Sequence, residues 1–274
     1  MAIDPRNFRG YLFDLDGTLI DTAPDICAAV NHALERFGYN PAPASLVRHW
    51  VGHGGKQCIA QAVAAARAAP GHTSSHSGSA QSTDGHEPVA GTSGTGCRLS
   101  GSPGGHAPVA DDQAASADAS SNTAESALVD EMLEPFLDHY RAHIADNSRP
   151  YPHAVDTLRA LSERNAKLAV VTNKRMELTR RLLDELELTP WFDAIVGGDT
   201  AANPKPAPDP ILYACDEIGL STAEVLFVGD SMTDVRASRA AGCAVVCVPN
   251  GYNHGIAPER LGADAIIDSL RELV

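Results

Sequence analysis

Two carboxylates separated by one residue close an apolar run near the start of the chain: Tyr11-Leu12-Phe13-Asp14-Leu15-Asp16-Gly17-Thr18. The run reads as a short buried strand. A strand has a side-chain period of two, so Asp14 and Asp16 leave it on the same face. Gly17 lets the backbone turn off the strand in a conformation other residues resist. Two carboxylates at the mouth of a buried strand repel each other and pay for desolvation. A divalent cation relieves both costs, and a hard ion such as Mg2+ prefers oxygen ligands. A second acidic pair, Asp230 and Asp234, stands four residues apart in Gly229-Asp230-Ser231-Met232-Thr233-Asp234, stacked on one face where a helix begins. One can ligate the ion while the other orients a water or a lysine. Lys205 lies in Asn203-Pro204-Lys205-Pro206-Ala207-Pro208, where flanking prolines restrict the backbone that carries it. Thr172 and Asn173 end another apolar run, and a hydroxyl and a backbone amide there can hold a phosphoryl oxygen. Lys174 follows them, either reaching a substrate or facing solvent.

The elements that must bring these residues together follow from the pattern of apolar runs. After the first strand, helices are expected at Pro24 to Phe37, about Ala44 to Trp50, and Lys56 to about Ala69, with Thr22 as a cap for the first. From about Pro70 to Thr123 the composition collapses into Gly, Ser, Ala, Thr, His and Pro. Such a stretch buries too little surface to offset its ordering entropy, so a flexible insertion without a fold of its own is expected. A long amphipathic helix resumes with Leu128, Met132, Phe136, Tyr140 and Ile144. His139 and His143 sit four apart on it, read as surface histidines for want of a third ligand.

From Asn147 onward helices and apolar strands alternate: strands at Leu168–Val171, Ala194–Val196, Val225–Val228, Ala244–Val248 and Ala265–Ile267, with helices near Val155–Arg164, Glu177–Leu186, Pro210–Ile218 and Val235–Ala241. This is the signature of an α/β fold with a doubly wound parallel sheet. Every polar signature falls just after a strand, where such folds place their ligand site. The expected organisation is an α/β core from residues 1–21 and 147–274, and a helical module over 22–146 interrupted by the insertion at about 70–123.

The chain has 274 residues, 43% of them hydrophobic, and a formal net charge of −14. That charge excludes non-specific binding to nucleic acid or an anionic membrane, and an anionic substrate must be drawn by local cations. No apolar run reaches membrane-spanning length and the first residues lack a signal-peptide core. The six cysteines show no metal-knuckle spacing and read as reduced thiols of a cytoplasmic protein.

Asp14-x-Asp16-Gly17-Thr18, Thr172-Asn173, Lys205 and Gly229-Asp230 with Asp234 resemble the four motifs of the haloacid dehalogenase superfamily. The resemblance implies a Rossmann-like core with an inserted α-helical cap, and a Mg2+-dependent phosphatase acting on a small phosphorylated metabolite. It implies Asp14 as nucleophile, Asp16 as general acid and base, and Lys205 as the cation on the transferring phosphoryl group. Thr172 and Asn173 would bind the substrate phosphate. The metal would be held by Asp14, Asp230 and the backbone carbonyl of Asp16, with Asp234 behind them. Asp16 favours phosphoryl transfer, since the true dehalogenases lack that second carboxylate. Stretches such as Asp21-Thr22-Ala23-Pro24-Asp25 and Gly251-Tyr252-Asn253-His254-Gly255 are most similar to the bacterial phosphoglycolate phosphatases, which implies 2-phosphoglycolate as substrate. Another small-metabolite phosphatase of the superfamily, a sugar phosphomutase of the same fold, and a phospho-receiver-like binding protein are the alternatives. Receivers lack an Asp two residues beyond the acceptor. His53 and Gly54, at a helix break, are expected on the substrate side of the cap.

Overall fold

The computed structural model describes residues 3–52, 54–68 and 112–274, with 112–123 as backbone only. Eight strands and eight α-helices are described. The strands are β1 (Gly10–Phe13), β2 (Ile20–Asp21), β3 (Arg149–Pro150), β4 (Lys167–Val171), β5 (Ala194–Val196), β6 (Val225–Gly229), β7 (Ala244–Cys247) and β8 (Ala265–Ile266). The helices are α1 (Ala23–Arg36), α2 (Ala44–Val47), α3 (Gly55–Ala68), α4 (Asp112–Ala142), α5 (Ala154–Glu163), α6 (Met176–Glu185), α7 (Asp209–Ile218) and α8 (Met232–Ala241).

Six strands form one parallel sheet in the order β5-β4-β1-β6-β7-β8. Apart from the exposed Lys167 at the start of β4, its strands are apolar because both faces are covered. Tyr11 and Phe13 point to the face packed by Leu158 and Leu161 of α5 and by Leu182 of α6, while Leu12 points to the face packed by α7 and α8. Phe13 stands level with Val170 of β4 and Val228 of β6. Asp14, Thr172 and Asp230 therefore leave adjacent strands at nearly one height. β1 is flanked by β4, with β5 beyond it, on one side and by β6, β7 and β8 on the other, so the strand order reverses there and a crevice opens at that edge.

Helices α1 to α4 stand apart from this sheet and pack chiefly on one another, with α4 lying along α1 and α3. Ile59, Val63, Val129 and Met132 bury their shared faces. The two connections between helices and sheet run side by side: β2 and β3 pair antiparallel, Ile20 against Pro150 and Asp21 against Arg149. Asp25 on α1 clamps this junction, accepting hydrogen bonds from the backbone and side chains of both Asn147 and Ser148. Burial opposes ionisation of Asp25, yet these bonds outweigh it and hold its carboxyl below the ordinary value.

Several local expectations need correction. α4 begins at Asp112, inside the stretch read as having no fold of its own. The segment from Asp112 to Ala127 is rich in alanine, the strongest helix former, and composition without large apolar residues concealed that propensity. Residues 70–111 lie outside the described part. α2 ends at Val47, short of Trp50. α8 starts at Met232 instead of Val235, because Ser231 and Asp234 make a capping box. Asp230 thus precedes the helix and does not share a helical face with Asp234. Thr22 sits at the start of α1 but does not cap it: its hydroxyl donates to Asp16 Oδ1 at 2.7 Å. The Tyr252 hydroxyl serves the helix start instead, accepting from the Thr22 and Ala23 amides at 2.8 Å each. The same hydroxyl donates to Asp21 at 2.6 Å.

His139 and His143 gain a third imidazole: the rings of His32 and His143 lie 4.5 and 4.6 Å from that of His139. Burial and these neighbours hold His139 below its ordinary value. Among the described residues, no helix is long and apolar enough to cross a membrane. The cysteines described, Cys27, Cys58, Cys215, Cys243 and Cys247, are buried free thiols, and burial pushes that of Cys58 up to about 12.

Candidate active site

The carboxylates of Asp14, Asp230 and Asp234 each offer an oxygen within 4.8 Å of the others. All three are buried. Asp14 follows β1, and its Oδ1 accepts from the Leu15 amide at 2.7 Å. Asp230 follows β6; its Oδ1 accepts from the Thr18 hydroxyl at 2.9 Å and its Oδ2 from the Tyr252 amide at 2.5 Å. Asp234, in the first turn of α8, reaches back so that Oδ2 accepts from the Asp230 and Ser231 amides and the Ser231 hydroxyl.

Lys205 is the buried cation of this group. Its Nζ lies 2.7 Å from Asp234 Oδ1 and 3.1 Å from Asp14 Oδ1, over the ring of Phe227. Burial disfavours its charge, but Asp14 and Asp234 more than offset that and hold the ammonium above its ordinary value. The balance fails on the acidic side. Burial raises the Asp14 carboxyl despite Lys205, with Asp234 and Asp16 adding repulsion. Burial also raises that of Asp230, reinforced by Asp234 and Asp14. Three close, buried carboxylates with one ammonium between them are an all-oxygen donor set short of positive charge. Such a set fits a hard divalent cation.

Two glycines make room for this packing. Gly17 has φ of +89°, and a Cβ there would lie 2.6 Å from Asp230 Oδ2. A Cβ on Gly251 would lie 2.1 Å from the Cβ of Asp230. No side chain fits either position without moving the carboxylate.

The Asp16 carboxylate lies outside that trio. Its Oδ1 accepts from Thr22 Oγ1 and, at 2.9 Å, from Lys174 Nζ. A part for Asp16 in holding a metal therefore rests on its backbone carbonyl. Thr172 is buried at the end of β4, its hydroxyl accepting from the Lys174 amide at 3.2 Å. The Asn173 side chain donates to the Lys205 carbonyl at 2.9 Å, tying the proline-flanked loop to β4, and its Oδ1 is buried without a partner among the described residues. Asp14, Asp16, Thr172, Asn173 and Lys174 line one cleft, partly open to solvent. Its opposite wall is apolar and comes from the helical cap: Trp50, Val51, Phe136 and Leu137. Gly54 lines it as well, while His53 lies outside the described residues.

Four residues have tasks at the site that the sequence did not assign to them. Thr18 and Thr22 follow the acidic pair and are fully buried hydroxyls serving Asp230 and Asp16. Tyr252 fixes both Asp230 and the start of α1. Tyr140, read as part of an apolar stripe, places its hydroxyl 2.9 Å from Lys174 Nζ. Only the two threonines left a signal, as polar residues inside an otherwise buried stretch.

Comparison with known proteins agrees with this architecture. The family described as haloacid dehalogenase-like hydrolase matches residues 8–242. Phosphoglycolate phosphatases of Escherichia coli (strain K12) and Shigella boydii are each 32% identical over 270 residues, covering 98% of this chain and 92% of theirs. The crystal structure of a predicted phosphoglycolate phosphatase from Haemophilus somnus superposes with a TM-score of 0.71 at 27% identity, covering 97% of this chain and 96% of that one. The chain belongs to the haloacid dehalogenase-like hydrolase family.

Proposed function

We propose that the protein is a Mg2+-dependent phosphomonoesterase that hydrolyses 2-phosphoglycolate to glycolate and phosphate through an aspartyl-phosphate on Asp14. The observation that carries the reading is the sharing of one cleft by Asp14, with Lys205 on its carboxylate, and Asp16, held by different partners. The substrate is supported by the 32% identity to phosphoglycolate phosphatases over nearly the whole chain.

In this reading an Asp14 oxygen attacks phosphorus. The ester P–O bond breaks, its electron pair stays on the leaving oxygen, and that oxygen takes the proton of Asp16. Water then attacks phosphorus, gives its proton to Asp16, and releases the Asp14 carboxylate with phosphate. Lys205 stabilises charge on the phosphoryl oxygens, and Thr172 and Asn173 bind them. A bound Mg2+, held by Asp14, Asp230 and the Asp16 carbonyl with Asp234 behind, supplies positive charge to the same oxygens. Residues 22–146 act as a cap hinged at β2 and β3, whose apolar wall excludes water during the first step.

The test is phosphate release from a panel of phosphorylated metabolites with and without Mg2+. 2-Phosphoglycolate should be turned over best, only with the metal, and Asp14→Asn should abolish turnover while retaining the fold. Isomerised sugar phosphate without free phosphate would replace this reading with a mutase.

A further inference from the structure

Lys174 is buried, yet the steps above give it no task. Its backbone is fixed on three sides: the amide donates to the Thr172 hydroxyl, and the carbonyl accepts from the Gly198 amide at 2.8 Å and the Thr179 hydroxyl at 3.2 Å. From this mount the side chain runs into the cleft, 5% exposed. There it meets two acceptors, Asp16 Oδ1 and the Tyr140 hydroxyl, each at 2.9 Å. An ammonium has donors only, so it cannot accept a proton from Asp16 in any orientation.

The consequence falls on the two oxygens of Asp16. Oδ1 accepts from both Lys174 and Thr22, at 2.9 and 2.7 Å. A proton on that oxygen would face the Lys174 ammonium, which can only donate. Oδ2 has no hydrogen-bond partner among the described residues. We propose that Lys174, braced by Tyr140, is a positioning residue that fixes Asp16 Oδ1 as a permanent acceptor and leaves Oδ2 as the oxygen that gives and takes the proton. Tyr140 belongs to α4 and Thr22 to the start of α1, so the arrangement depends on the position of the cap. Withdrawal of α4 removes one of the two acceptors of Lys174 and slackens Asp16.

This inference rests on Asp16 being the proton donor in the first step. A donor matters for a poor leaving group and hardly at all for one that leaves as a stable anion. The test compares kcat/KM, with Mg2+ present, for 2-phosphoglycolate, ethyl phosphate and p-nitrophenyl phosphate in Lys174→Met, Tyr140→Phe and Asp16→Asn. Ethyl phosphate shares the poor leaving group but has no carboxylate. Lys174→Met should lose about 100-fold or more on both alkyl esters and less than about tenfold on the aryl ester, the range a positioned proton donor supplies. Tyr140→Phe should show the same selectivity at about tenfold. An equal loss on all three esters would mean a structural role and overturn the inference. A loss confined to 2-phosphoglycolate through KM would instead make Lys174 a carboxylate ligand, and overturns it too. Asp16→Asn separates the two levels. If it lacks the leaving-group signature, the role of Asp16 itself is wrong; if it has the signature and the Lys174 and Tyr140 variants do not, only the positioning role fails.

Discussion

Replacing Lys205 by methionine removes the one ammonium that touches both Asp14 and Asp234, at 3.1 and 2.7 Å, while keeping most of the side-chain volume. At an effective dielectric constant of about 20, each contact at such distances is worth on the order of 5 kcal/mol before desolvation. The net loss is smaller, because burying the ammonium is itself costly. Removing one partner of a buried ion pair leaves a destabilisation of about 3–5 kcal/mol. For a chain of this size that lowers Tm by roughly 6–20 °C without metal. Divalent metal should then stabilise the variant more than the parent. With its carboxylates ionised, the cluster goes from two negative charges to three, so the same cation relieves more repulsion. In the parent, Mg2+ at a hundred times its Kd adds about 2.7 kcal/mol. For turnover, loss of a fixed charge on the phosphoryl oxygens should cost about 10²–10³ in kcat. That loss should be similar for alkyl and aryl phosphates, since Lys205 acts on the transferring group and not on the leaving oxygen. Calorimetric melting with and without Mg2+, and phosphate release from both ester types, measure these effects. A variant within about 2 °C of the parent Tm and about threefold of its kcat would refute the charge balance drawn for this site.

Asp25→Ala should destabilise the protein by about 3 kcal/mol, read from denaturant unfolding, because the donors of Asn147 and Ser148 at the cap junction lose their shared acceptor. The pH dependence has a definite sign. The folded carboxyl lies below its ordinary value of 3.8, so its contribution is present above that pH and is lost as pH falls through the lower folded value. Asp25→Asn should therefore flatten the acid limb of the stability curve, and an unchanged limb would assign that limb to other groups. Gly251→Ala should weaken Mg2+ activation by about 10–100-fold while leaving the sheet intact, since its Cβ would displace Asp230. The measurement is the Mg2+ concentration for half-maximal turnover beside a far-ultraviolet dichroism spectrum.

Much of the molecule is written in the chain itself. Fully apolar runs ending in Asp14, Thr172 and Asp230 carry the parallel sheet, because a strand covered on both faces has no room for polar residues. The same runs place their terminal polar groups at one edge, so the catalytic motifs are legible as local patterns. The helix from Asp112 was not, since alanine-rich polar sequence reads as low complexity until something gives it a helical backbone.

What only the tertiary structure decided is who meets whom. Lys174 shows no local sign of facing Asp16 or of touching Tyr140, which is 34 residues away on another element. Thr22 occupies a capping position by sequence, yet its hydroxyl goes to Asp16 and the capping task falls to Tyr252, 230 residues along the chain. Local pattern fixes which residues are buried and on which face. It does not fix the partner of a buried hydroxyl or ammonium. That partner is whichever group the packing of cap on core brings within hydrogen-bond reach, and a buried polar group must take it.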